Sequence, residues 1–223
     1  RGATVLWAQD AAEINRLVVE IAFRRGVRKI VKSKSMVSEE SALDLAIEGA
    51  GLEVVETDLG EYILQINGYE PPSHIVGPAL HKSKEEVTEL FHRRHGTPRK
   101  DGIEDLCREA RAVLREHYLT ADMGISGGNF FVAETGSVLL VTNEGNASLA
   151  TTLPKVHVAI SGIEKIVPTL EDAATLMRLL PRSATGQSIS NYVDVLTGTR
   201  GEGEFHGVDH MYFILVDSGR TGV

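Results

Sequence analysis

The run Lys32-Ser33-Lys34-Ser35-Met36 puts two ammonium groups and two hydroxyls within five residues. Such a set suits a carboxylate or phosphate, since ammonium donors make charge-assisted hydrogen bonds to anions. Lys32, Lys34 and Ser35 are the candidates; the competing reading is a solvated, exposed basic turn. A second group gathers acids, amides and a hydroxyl: Glu61, then Asn129, Glu134 and Thr135, then Asn143, Glu144 and Asn146. Carboxyl groups exchange protons, and amides orient polar substrates. Gly136 and Gly145 sit at turn spacing after Glu134 and Glu144, so ordinary turn chemistry accounts for the same peptides. Between these two glutamates lies a strand-like run of about six residues, which at about 3.3 Å per residue separates them by roughly 20 Å. They are not one acid/base pair.

Gly124, Gly127 and Gly128 precede Asn129 and can form a backbone nest for an anion, or simply give the chain a flexible return. They match neither the G-x-G-x-x-G fingerprint nor the P-loop, so no nucleotide motif is claimed. Cys107, the one cysteine, shares an expected helix face with Ile103, Leu106, Ala110, Leu114 and His117. It is therefore expected to be a small buried hydrophobe rather than a nucleophile. One thiol cannot supply a disulfide framework or a site with four thiolate ligands. His157, inside an apolar strand, is read as packed or solvated, and His92 and His95 as complements to a helix dipole. No metal site is argued from them.

Elements that would position these residues follow from the apolar spacing. Val5-Leu6-Trp7-Ala8 reads as a strand, Ile14, Leu17, Val18 and Ile21 as a helix face, and Lys29-Ile30-Val31 as a second strand. The lysine-serine run thus leaves the carboxyl end of a strand, where ligands bind in open α/β sheets. Ser38 is expected to cap one helix carrying Leu43, Ala46 and Ile47 and ending at Gly49 and Gly51, ahead of a strand over 52–56. Leu59, Tyr62, Ile63 and Ile66 give a short helix closed by Gly68. Residues 82–121 read as a helical insertion or lid. Strands follow over 130–133, 138–142, 156–160 and 212–216, with a helix about 170–180, while 181–203 reads as loop rich in Ser, Thr, Gly and Asn. Alternation of this kind predicts an α/β fold, a mostly parallel open sheet flanked by helices.

Composition narrows the function. A formal charge of −8 over 223 residues argues against binding driven by nucleic-acid phosphates. The apolar runs are too short to span a bilayer and no signal pattern opens the chain, so a cytoplasmic setting is expected. The opening Arg1 and the end at Val223 suit a truncated chain.

Long peptides carry a family resemblance: the lysine-serine run with Val37, Glu56-Thr57-Asp58-Leu59-Gly60-Glu61-Tyr62-Ile63 and Pro71-Pro72-Ser73-His74-Ile75-Val76. It continues in Gly127-Gly128-Asn129-Phe130, Ala133-Glu134-Thr135-Gly136, Thr142-Asn143-Glu144-Gly145-Asn146, Leu153-Pro154-Lys155-Val156-His157-Val158 and Gly162-Ile163-Glu164-Lys165-Ile166-Val167-Pro168. Together they resemble the lactate-utilisation domain family, its B-type members in particular, over essentially the whole chain. The resemblance implies a fold similar to the sugar-phosphate isomerase and CoA-transferase group. It also implies a bacterial system that oxidises L-lactate to pyruvate with two other lactate-utilisation proteins, passing electrons through 4Fe-4S clusters. Those clusters are implied for a cysteine-rich C-terminal segment; with one cysteine, no cofactor is expected within this chain. Two rival functions stand beside it: a stand-alone enzyme acting on an acyl or sugar-phosphate substrate through Glu61, Glu134 or Glu144, and a docking subunit without chemistry.

Overall fold

A computed structural model describes residues 1–74 and 77–222; Ile75 and Val76 of the proline-rich motif lie outside the described residues. Strands β1 (Thr4–Ala8), β2 (Lys29–Lys32) and β3 (Glu53–Glu56) alternate with helices α1 (Ala11–Arg25), α2 (Met36–Glu40), α3 (Leu43–Gly49) and α4 (Leu59–Ile66). Helices α5 (Lys84–His95) and α6 (Ile103–Thr120) follow, then β4 (Met123–Ser126), β5 (Phe130–Val132) and β6 (Ser137–Thr142). Next come α7 (Asn146–Thr152), β7 (Val156–Gly162), β8 (Ile166–Val167), α8 (Leu170–Thr185), β9 (Tyr192–Thr197) and β10 (His210–Val216).

Six strands form one sheet in the order β1-β10-β7-β4-β2-β3, every pair parallel. Because side chains alternate across a strand, the inner strands and β3 carry side chains to both faces of the sheet. On one face Ile30, Val54, Ile125, Val158 and Ile214 pack against α1 and α3 through Val18, Ile21 and Ile47. On the other face Val31 and Val55 meet Leu90, Phe91, Leu106, Ala110 and Leu114, so the 82–121 stretch is a packed layer of the fold. The rest of that face, Ala159, Met211, Phe213 and Leu215, receives Phe131, Val138 and Leu140 from a second sheet. This four-stranded sheet, β8-β5-β6-β9, is antiparallel at β5-β6 and β6-β9. Its outer strand β9 falls in the region expected to be loop. Tyr192, Val193 and Val195 there are exposed, so no buried face marked the strand.

Two local expectations are corrected. One helix over the Ser38–Gly49 region becomes two: Ser35, not Ser38, accepts from the backbone to cap α2, and Ala42 turns left-handed at φ 52° to break the run. Asn15 secures the break by donating to the Ser41 carbonyl at 2.7 Å. Cys107 is exposed. The buried stripe of α6 is rotated from the expected one and runs through Leu106, Glu109, Ala110, Leu114 and Tyr118, leaving Ile103 exposed. Glu109 tolerates burial because His95, Thr97 and Lys100 converge on it.

Candidate functional site

Sheet order fixes where a ligand can sit. The chain winds outward through β2 and β3, then returns to lay β4 on the other side of β2. At such a switch the connections leave in opposite directions and open a crevice beyond the strand carboxyl ends. A cleft of about 510 Å³ lies there, lined by Ser33, Lys34 and Ser35 after β2, by Gly127, Gly128 and Asn129 after β4, and by Ile160 and Ser161 of β7. The end of β6 and the start of α7 contribute Thr142, Asn143, Glu144 and Asn146, and α8 closes the side with Leu180, Pro181 and Ala184. Two backbone features make room. A Cβ at Gly124 would overlap the Ala150 carbonyl oxygen, so β4 and α7 meet only with glycine there, and a Cβ at Gly128 would meet the Phe131 ring.

Six of the ten residues singled out from the sequence therefore line one cleft: Lys34, Ser35, Asn129, Asn143, Glu144 and Asn146. Asn129 accepts from the Val141 backbone N–H at 2.8 Å and ties the β4 exit to β6. The Thr142 hydroxyl donates to Glu144 at 2.8 Å and to Asn146 at 3.2 Å, fixing the loop before α7. Asn143 exchanges hydrogen bonds with Gln187 beyond α8. Glu134 and Thr135 sit in the β5-β6 turn, at the opposite end of β6 from Glu144 and outside the cleft lining. Thr135 is engaged there with Ser137 at 2.7 Å.

The lysine-serine run is not one exposed basic loop. Lys34 lines the cleft, its side chain 30% exposed, with its ammonium 3.0 Å from Glu61. Lys32 points the other way and is only 1% exposed. There it pairs with Glu56, donates to Ser38 Oγ at 3.2 Å and stands 3.7 Å from Asp44. Burial pulls the Lys32 pKa down, but the charges of Glu56 and Asp44 outweigh it and hold the pKa above the ordinary lysine value. The expectation of a solvent-facing pair fails because strand alternation, continued through Lys32, turns that side chain into the protein.

Asp58 was not among the sequence candidates. With Glu61 three residues later it reads as the start of a capping box, yet its side chain makes no cap hydrogen bond. Instead it lines the cleft beside the Glu61 carboxyl. Burial first, then the neighbouring Glu61, push its pKa up from 3.8 to about 6. The failed cap pattern was the only sequence signal. Ser33, Ser161, Lys165, Gln187 and Ser190 also line the cleft without having been singled out. Beneath it, Ser126 and His157 form a buried pair at 2.8 Å. Burial drives the His157 pKa down to about 3 and keeps the ring neutral.

A cleft so furnished can hold a small polar anion between Lys34, the Ser35 hydroxyl and the amides, with a carboxyl poised near neutrality at its edge. Among the described residues no group of three or more His, Cys, Asp and Glu is placed to hold a metal ion, and no helix is long and apolar enough to cross a membrane.

Comparison with known proteins bears on the same residues. A family model, the LUD domain, matches residues 1–216. A protein of Geobacillus kaustophilus named Lactate utilization protein B is 51% identical over 223 residues, covering 100% of this chain and 47% of its own length. Namesakes from Lysinibacillus sphaericus and Bacillus licheniformis are 50% and 48% identical over the same shares. The chain spans about half the length of these curated relatives. Among solved structures, a DUF162 family protein from Deinococcus radiodurans aligns with TM-score 0.52 at 14% identity, over 96% of this chain and 88% of that one. That likeness concerns the fold alone.

Proposed function

Since the chain belongs to the LUD domain family, we propose that it is the substrate-holding part of a bacterial L-lactate oxidation system, its cleft taking the small 2-hydroxy carboxylate. The observation that carries this reading is the convergence of Lys34, Ser35, Asn129, Asn143, Glu144 and Asn146 on one cleft that also holds Asp58. Oxidising lactate to pyruvate removes two electrons and two protons, one proton from the hydroxyl and one from the adjacent carbon. Lys34 and Ser35 meet the carboxylate, the asparagines orient the hydroxyl, and Asp58, with its pKa near 6, accepts the hydroxyl proton. The two electrons and the proton from the carbon need acceptors, which in this proposal lie in the rest of the system.

The family resemblance implies 4Fe-4S clusters, and these residues do not fit one: the single thiol, Cys107, is exposed on α6, far short of four thiolate ligands. No electron-transfer step is assigned to this chain. In this proposal the clusters and two partner lactate-utilisation proteins make up the rest of the system, in the cytoplasm.

The test uses a protein of the relatives' full length, purified anaerobically with its partners. L-Lactate should bleach the cluster absorbance, and Lys34→Met should raise the lactate concentration needed by about tenfold or more, the cost of one charge-assisted contact. Bleaching with the same lactate dependence in the variant would remove the cleft from the reaction. Turnover of an acyl or sugar-phosphate substrate by the 223-residue chain alone would favour a stand-alone enzyme instead.

A further inference from the structure

Lys32 leads into a second cavity, of about 430 Å³, between α3 and α4. Its polar wall includes Lys32, Asp44 and Glu56, and its apolar wall includes Leu43, Leu45 and Leu64. Three carboxylates, Glu56, Asp44 and Glu39, crowd this one ammonium. Glu56 is only 4% exposed, and while its Oε1 pairs with Lys32, its Oε2 has no hydrogen-bond partner. Asp44 Oδ1, 3.7 Å from the lysine, has none either. A buried carboxylate oxygen without a donor is costly, and two on one cavity wall call for donors supplied from inside the cavity.

The carboxylates define what such a donor must be. It is cationic, because Glu39, Glu40, Asp44, Glu61 and Glu70 line the cavity beside Glu56 against the one ammonium of Lys32, and a metal ion is unsuited, since among the described residues no group of three or more His, Cys, Asp and Glu is placed to hold one. It also carries carbon, because leucines form the facing wall. We propose that this cavity binds an organic cation, an ammonium or guanidinium group on an aliphatic stem, its N–H donors reaching Glu56 Oε2 and Asp44 Oδ1. The site is separate from the cleft and stands whether or not the cleft binds lactate.

The probe is n-butylguanidinium chloride, with n-butanol as the neutral control at matched ionic strength, titrated into the 223-residue chain carrying labelled leucine methyls. Leu43, Leu45 and Leu64 report on this cavity, and Leu140 and Leu180 on the cleft. Saturable shifts at the first three with the cation and not with the alcohol are expected, weakened about tenfold or more in Glu56→Gln. Because Glu56→Gln also strips Lys32 of its partner, Asp44→Asn serves as the second variant, with weakening in the same direction expected. No saturable shift in the wild-type chain, equal shifts with the alcohol, shifts confined to Leu140 and Leu180, or undiminished binding in Asp44→Asn would each overturn the proposal.

Discussion

Lys32 and Lys34 leave the same strand two residues apart and end in opposite electrostatic settings. Around Lys32 the ammonium and Glu56 are both buried, and the ammonium is already spoken for by Glu56, Asp44 and Ser38. Around Lys34 the cleft is open to solvent, amides and hydroxyls outnumber charges along it, and the ammonium, on a side chain 30% exposed, pairs with the buried Glu61. The first region is built so that removing one charge strands others in a medium of low polarity. The second lines an open cleft in which water reaches the polar groups. A shared residue type therefore says little about role; the number and burial of counter-charges says more.

The largest consequence of that contrast is for stability. Lys32→Met leaves Glu56 and Asp44 uncompensated, and urea unfolding should show a loss of about 3–5 kcal/mol, against a smaller loss for Lys34→Met, where the lysine side chain is itself 30% exposed so that water can take its place beside the buried Glu61. Equal losses would erase the distinction between the two regions.

Next in size is the pH dependence carried by Asp58. Its folded pKa of about 6 lies above the unfolded 3.8, so the fold favours the protonated form. That contribution is present below 3.8 and lost as the pH rises through about 6. Wild-type protein should therefore lose stability relative to Asp58→Asn as the pH climbs through this window and change little relative to it above. Urea midpoints of both proteins across the window measure it, and a constant difference would mean that Asp58 is an ordinary surface acid.

The smallest effect belongs to neither region. Cys107→Ala, on the outer side of α6, should change stability by about 0.5 kcal/mol at most, and a larger loss by the same denaturation would give the thiol a structural role.

Much of the fold was legible because burial is written into apolar spacing. Ile30 and Val31, or Val54 and Val55, are apolar on both sides, which is how a parallel strand covered on two faces reads. Strand β9 escaped because its exposed valines alternate with nothing buried enough to signal a face. The split between α2 and α3 escaped because it depends on Ala42 adopting a left-handed turn, which nothing in an alanine announces. At the site, Lys34, Ser35 and the asparagines could be found from their position at strand ends. Asp58 could not, because its burial, and the approach of the Glu61 carboxyl in place of a helix cap, arise only in the folded chain. Glu134 and Glu144 looked alike in sequence, each beside a turn glycine, and only the course of β6 sends one to the cleft and the other away from it.

The most direct measurement is calorimetric titration of L-lactate into this chain, into Lys34→Met and into Glu134→Gln. Saturable binding to the wild-type chain is expected, with the same affinity in Glu134→Gln and an affinity lower by about tenfold or more in Lys34→Met, the weakening shrinking as salt is raised. Equal affinity in all three, or a loss in Glu134→Gln with Lys34→Met unchanged, would contradict this expectation.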